Sequence, residues 1–150
     1  MDNSKRNIIK ELNSLLRECE VGMSGYDKCF RDATNPTLRG KFESYKADYA
    51  ENANAISQRI TELGGNPKYG AGMACVISNV AYVLRGADGH NASELLRTAH
   101  YGETKNIDVM ERVISNPQLD ENSKELLRRQ HSDARARQEE LIDLIRGVDT

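Results

Sequence analysis

From Ile8 onward, apolar or small residues recur in alternating steps of four and three: Ile8, Leu12, Leu15, Cys19, Gly22, Tyr26, Cys29 and Ala33. A second row, Ile9, Leu16, Met23 and Phe30, repeats at every seventh position beside it. Two adjacent rows make the broad stripe of a bundle helix, wider than the seam of a two-stranded coiled coil, and predict helix A over about residues 4–33. The same step resumes in helix B as Leu38, Phe42, Tyr45, Tyr49, Asn52, Ile56, Arg59 and Leu63. It stops at Gly64-Gly65, a pair suited to the left-handed C-terminal cap. Residues 70–86 are the least charged stretch and are small and apolar on several sides, which predicts a short buried helix. Helix C follows Gly89: Asn91 and Glu94 have capping-box spacing, and Ala92, Leu96, Ala99, Glu103, Asn106, Met110 and Val113 continue a seam. Helix D carries Leu127, Gln130, Ala134, Arg137, Leu141 and Leu144, with Ile142 and Ile145 beside them.

The breaks between these segments are marked by chemistry as well as by pattern. Each of the three prolines follows an asparagine, at Asn35-Pro36, Asn66-Pro67 and Asn116-Pro117. Proline pushes the residue before it out of the α region, and asparagine tolerates turn and cap geometry, so no helix continues through these pairs. Two hairpins with short turns, A with B and C with D, are joined by a long middle segment. That arrangement predicts an all-α, ferritin-like four-helix bundle with a short helix in the long crossover between helices B and C. The crossover has to cover ~40 Å, the length of ~28 residues at ~1.5 Å each. The 150 residues suit one compact domain, 1–150.

Composition narrows the function classes. Hydrophobic residues are 38% and charged residues 29%, with no tryptophan, in keeping with slender amphipathic helices. A formal charge of −2 provides no global field for nucleic acid or an anionic membrane. The basic residues of helix D alternate with Glu121, Glu125, Asp133, Glu139 and Glu140, a solvated salt-linked face. No apolar run approaches the ~20 residues of a membrane span. Three cysteines without CxxC spacing, and a polar opening with no apolar signal run, point to a reducing cytoplasm. No nucleophile–base spacing or phosphate-binding loop is present.

The seams turn polar or small near their centres: Gly22 on A, Asn52 on B, Glu103 and Asn106 on C, Gln130 and Arg137 on D. Counting from the hairpin turns brings Glu103 level with Gln130 and His131, and in the crossover topology also with Cys19, Glu20 and Asp48. A dinuclear metal centre in such a bundle takes about four carboxylates and two imidazoles, with Glu-x-x-His on two helices. No Glu-x-x-His occurs; His100 and Glu103 have the spacing reversed. The candidate metal ligands are therefore Glu103, His100, His131, Asp48 and Glu20. A buried Glu103 needs a partner, and the candidates are Arg137, Gln130, His131 and Asn106. A metal-free network that fixes the helix register is the favoured use of the layer.

Three motifs carry a family resemblance. They are Leu12-Asn13-x-Leu15-x-x-x-Cys19-x-x-Gly22-x-x-Gly25-Tyr26, the turn Leu63-Gly64-Gly65-Asn66-Pro67, and Gly102-Glu103. Over about residues 9–145 the chain resembles an uncharacterised bacterial ferritin-like family, domain of unknown function 2383. The resemblance implies a ferritin-like bundle without an established activity. It also implies acidic residues at three positions where this chain has Val21, Ala55 and Thr98, and a histidine where it has Gln138; Glu103 matches. The expectation is a non-catalytic bundle with a degenerate metal-site layer and no cofactor, acting through protein association, as a homo-oligomer or with another protein. The alternative is a protein that binds iron, or another divalent metal, through a residual site around Glu103.

Overall fold

The computed structural model describes residues 2–68 and 91–149. They form four helices: α1 Asn3–Asp32, α2 Pro36–Glu62, α3 Ala92–Ile114 and α4 Glu121–Asp149. These are the expected helices A to D, and α1 lies within a residue of the 4–33 read from the pattern. The short helix expected over 70–86 lies outside the described residues.

The asparagine–proline pairs do different jobs at the helix ends. Asn35 is the N-cap of α2: its Oδ1 accepts from the amides of Thr37 at 2.8 Å and Leu38 at 3.2 Å, while Pro36 opens the helix. Asn66 is held by α1, since its carbonyl accepts from Asn13 Nδ2 at 3.3 Å and the Lys68 amide donates to Asn13 Oδ1 at 2.8 Å. Asn116 makes an Asx turn with the Gln118 amide and donates from Nδ2 to Glu11 Oε2 at 2.9 Å. Gly64 takes a φ of 87°, and the Gly65 amide reaches back to the Ile60 carbonyl at 2.9 Å, closing α2 as the Gly-Gly pair predicts.

These ties fix the topology. The start of α1 meets both the end of α2, through Asn13 and Asn66, and the end of α3, through Glu11 and Asn116. The end of α2 meets the start of α4, where Arg59 Nη2 lies 2.7 Å from Asp120 Oδ2. Helices α1 and α4 therefore run one way and α2 and α3 the other. Between α2 and α3 the chain passes from one end of the bundle to the other, ~40 Å for a helix of 27 residues. Simple up-down-up-down order is excluded.

The core follows the predicted seams of α1, α3 and α4: Leu12, Leu15, Leu96, Leu127, Ala134 and Leu141 are all at most 1% exposed. On α2 the pattern departs from expectation. After Tyr49 the buried row continues through Ala53, Ile56, Ile60 and Leu63, leaving Asn52 and Arg59 half-buried. A strict alternation of four and three averages 3.5 residues per turn, so on a helix of 3.6 the inward direction drifts ~20° per heptad. Arg59 then turns its fork outward, with Nε on Ser123 Oγ at 3.0 Å and Nη1 on Glu62 at 2.7 Å.

Candidate functional site: a buried carboxyl shared by four helices

Glu103 is 1% exposed and both its oxygens are bonded. Tyr26 of α1 donates its hydroxyl to Oε1 at 2.6 Å, and Tyr49 of α2 donates to Oε2 at 2.9 Å. Arg137 of α4 donates from Nε to Oε1 at 2.9 Å. Asn106, one turn along α3, donates to the Tyr49 hydroxyl at 2.9 Å. One side chain from each of the other three helices thus converges on a single carboxyl of α3.

Arg137 is as enclosed as its partner, with side-chain exposures of 5% and 0%. Its guanidinium lies over the Tyr49 ring, 4.8 Å from the centroid, and its Nη1 reaches Asp48 Oδ2 at 3.4 Å. Asp48 is 45% exposed and so stands at the edge of the layer. Burial lowers the affinity of Arg137 for its proton, but Glu103 opposes that with charge and a hydrogen bond, and the outcome is a guanidinium more firmly protonated than usual. Around it the Tyr26 ring packs at 5.3 Å from Tyr45, 5.8 Å from Tyr49 and 6.2 Å from Phe42, centroid to centroid. Burial first, then the neighbouring Glu103, push the Tyr26 and Tyr49 hydroxyls well above the ordinary phenol value, so both remain donors. Tyr45 donates to Glu140, which is also paired with Lys41 at 3.0 Å.

The local sequence explains the fit of these rings. A Cβ added to Gly22 would lie 2.6 Å from the Tyr49 ring, so only glycine lets α1 pass at this height. Gly22 is a packing requirement of Tyr49.

The residues expected as metal ligands are only partly brought together. Glu103 and Asp48 share Arg137. His131 faces away: its Nε2 lies 3.0 Å from Glu111 Oε1 near the surface. His100 is half-buried beside Arg97, Ile142, Ile145 and Arg146. Glu20 is buried on α1 but makes none of the hydrogen bonds to Glu103. Of the partners expected for Glu103, Arg137 is direct and Asn106 acts through Tyr49. Gln130 instead donates to the Asn52 carbonyl at 3.4 Å, and Gln138, where the resemblance implies a histidine, donates to Thr104 Oγ1 at 3.0 Å. Among the described residues no three His, Cys, Asp or Glu side chains are grouped to hold an ion. The buried Arg137 Nη2 has no hydrogen-bond partner among them, but it is a donor and asks for an acceptor rather than a cation.

Sequence reasoning missed Tyr26 and Tyr49 as partners of Glu103. The available signal was that a buried tyrosine needs a mate for its hydroxyl, and both rings stand on seams beside the polar layer.

Solved structures share the fold. A ferritin-like, diiron-carboxylate protein from Bacillus anthracis superposes with a TM-score of 0.75 at 22% identity, covering 97% of this chain and 99% of that one. A Dps1 variant from Mycobacterium smegmatis gives 0.83 at 15% identity over 97% and 99% of the two chains. Dps from Staphylococcus aureus gives 0.77 at 18% identity over 93% and 95%. Among curated protein sequences none matches the chain. The family model described as a domain of unknown function, DUF2383, matches residues 7–116. With most of its length matched and the four-helix topology in place, the chain belongs to the DUF2383 family.

Proposed function

We propose that this is a non-catalytic, cytoplasmic, single-domain bundle that acts through protein association, and that its central layer is closed by an internal ion pair where related folds carry metal. The observation that supports this reading is the 2.9 Å contact of Arg137 Nε with Glu103 Oε1, between side chains 5% and 0% exposed. A divalent ion on Glu103 would have to displace the guanidinium, leaving a buried cation beside a second cation. Uncompensated buried charge is strongly destabilising. The donor chemistry also falls short of a dinuclear centre, because the tyrosine hydroxyls that fill Glu103 are protonated donors and His100 and His131 lie elsewhere.

The alternative, a residual iron site on Glu103 with Asp48, is separated by metal analysis. Protein purified without chelator is assayed for metal content and then titrated anaerobically with Fe(II), alongside Glu103→Ala. The proposal expects no stoichiometric metal in either protein. Stoichiometric metal in the native chain that is lost in Glu103→Ala would overturn it.

A further inference from the structure

Polar cross-links run along the outer flank of the α3/α4 seam. His131 Nε2 lies 3.0 Å from Glu111 Oε1, and one heptad along α4 Gln138 donates to Thr104 Oγ1 at 3.0 Å. Continuing in the same direction by four and then three residues, the flank reaches His100 and Arg97 on α3 and Ile142 and Ile145 on α4. Equal steps of seven, four and three on two antiparallel helices keep one face of each turned to the other and keep their heights matched. His100 therefore comes level with Ile142, and Arg97 with Ile145. At these levels the seam opens into a groove of about 500 Å³, lined by these four side chains and Arg146.

The floor and the rim of the groove differ in character. Ile142 and Ile145 are half-buried and leave apolar surface on its floor, and Val148, one turn beyond Ile145, is 43% exposed. Arg97, His100 and Arg146 each bring N–H donors to the rim, and among the described residues no carboxylate lines it. Arg97 is braced by its Nε, which donates to Ser93 Oγ at 3.1 Å. Arg146 Nη1 stands 3.8 Å from Asp143 Oδ1, both side chains being 77% exposed, so water screens that pair. Two guanidiniums, one of them already near Asp143, match a single negative charge better than a doubly charged phosphate. The two levels are only ~4.5 Å apart along the axis, too short to seat a partner helix, whose anchors recur at i, i+3, i+4 and i+7. A narrow chain with an anionic head fits. We propose that this groove is a binding site for an aliphatic carboxylate. The head is held by the planar forks of Arg97 and Arg146 with the His100 ring beside it, and the hydrocarbon lies along Ile142, Ile145 and Val148. The site is separate from the central layer and does not rest on the association reading.

The test is isothermal titration calorimetry of the full chain with sodium decanoate, at low ionic strength and below the concentration at which decanoate forms micelles. Acetate carries the same head without the chain, and decyltrimethylammonium the same chain under the opposite charge. The native chain is expected to take up decanoate saturably, with both comparison ions weaker by about tenfold or more. Arg97→Gln combined with Arg146→Gln should weaken decanoate binding by about tenfold or more. Ile145→Asn should weaken it as well. Circular dichroism melts establish that each variant is folded, and the exposed arginine pair decides the matter should Ile145→Asn unfold. A native chain that takes up no decanoate saturably would overturn the proposal. So would decyltrimethylammonium or acetate bound as tightly as decanoate, or decanoate binding that is unchanged in the arginine variant.

Discussion

Replacing Arg137 by methionine is the most direct probe of the central layer. Methionine keeps the apolar stem and removes the guanidinium that holds Glu103 Oε1 at 2.9 Å and covers the Tyr49 ring. The carboxyl, with a side chain 0% exposed, is then left with two tyrosine donors and no compensating charge. Breaking a buried pair on one side costs about 3–5 kcal/mol, a large share of the roughly 5–15 kcal/mol that holds a domain together. At about 2–4 °C per kcal/mol for a domain of this size, the melting midpoint should fall by ~6–20 °C. Adding Glu103→Gln should recover most of the loss, because the amide is neutral and its carbonyl still accepts from a tyrosine. Urea unfolding of the native, single and double variants, followed by far-UV circular dichroism, closes the thermodynamic cycle. The reasoning fails if Arg137→Met lies within about 1 kcal/mol of native, or if the two substitutions are simply additive.

Tyr49→Phe should cost about 1–3 kcal/mol, since one hydroxyl satisfies Glu103 Oε2 and accepts from Asn106 Nδ2; chemical denaturation at neutral pH reads this, and a neutral substitution would show the hydroxyl to be idle. Gly22→Ala should destabilise by about 1–3 kcal/mol despite the better helix former, because its methyl would meet the Tyr49 ring at 2.6 Å. Gly40→Ala, where nothing lies within 4 Å, should stabilise by about 0.5–1 kcal/mol in the same melts. Burial raises the Cys19 and Cys29 thiols from 9.0 to about 12. The unfolded chain therefore releases these protons first, and the stability they contribute is full below pH 9 and lost as pH rises toward 12. At 1.36 kcal/mol per unit the two thiols together remove about 5 kcal/mol by pH 11, before the raised tyrosines add to it. Unfolding midpoints under reductant between pH 8 and pH 11 measure the decline, and a flat profile would refute it.

The helices and their order were legible because the chain writes the same periodicity four times and interrupts it with Asn-Pro and Gly-Gly. The drift of the buried row on α2 was not, since steps of four and three describe 3.5 residues per turn and a helix turns at 3.6. The polar layer was legible in part. A glutamate on a seam has to find a partner, which put Arg137 among four candidates before any geometry existed. Counting residues from a turn gives height along the axis and says nothing about direction around it. Here the height was off as well: counting set Gln130 and His131 level with Glu103, but the α3/α4 register pairs Glu103 with Arg137 and Glu111 with His131, so His131 meets α3 about two turns farther along. Tyr26 and Tyr49 were read as core rings, and their hydroxyls, which fill Glu103, were overlooked.

A leucine layer would have stabilised this bundle at least as well as a charged one, since replacing a buried ion pair by apolar side chains is often neutral or favourable. What leucines lack is a preferred height, because an apolar seam tolerates a helix sliding by a turn. Tyr26, Tyr49, Glu103 and Arg137 come one from each of the four helices and meet within single hydrogen bonds. A shift of any one helix by a turn would leave a buried carboxyl, guanidinium or hydroxyl without its mate. The ties at the two ends of the α2/α4 seam, Arg59 with Asp120 and Lys41 with Glu140, are partly exposed and screened by water. The central layer is therefore where register is set. A tethered guanidinium draws the carboxyl oxygens of Glu103 and Asp48 to one positive charge, as a bound cation does, and it makes the cross-link part of the chain itself.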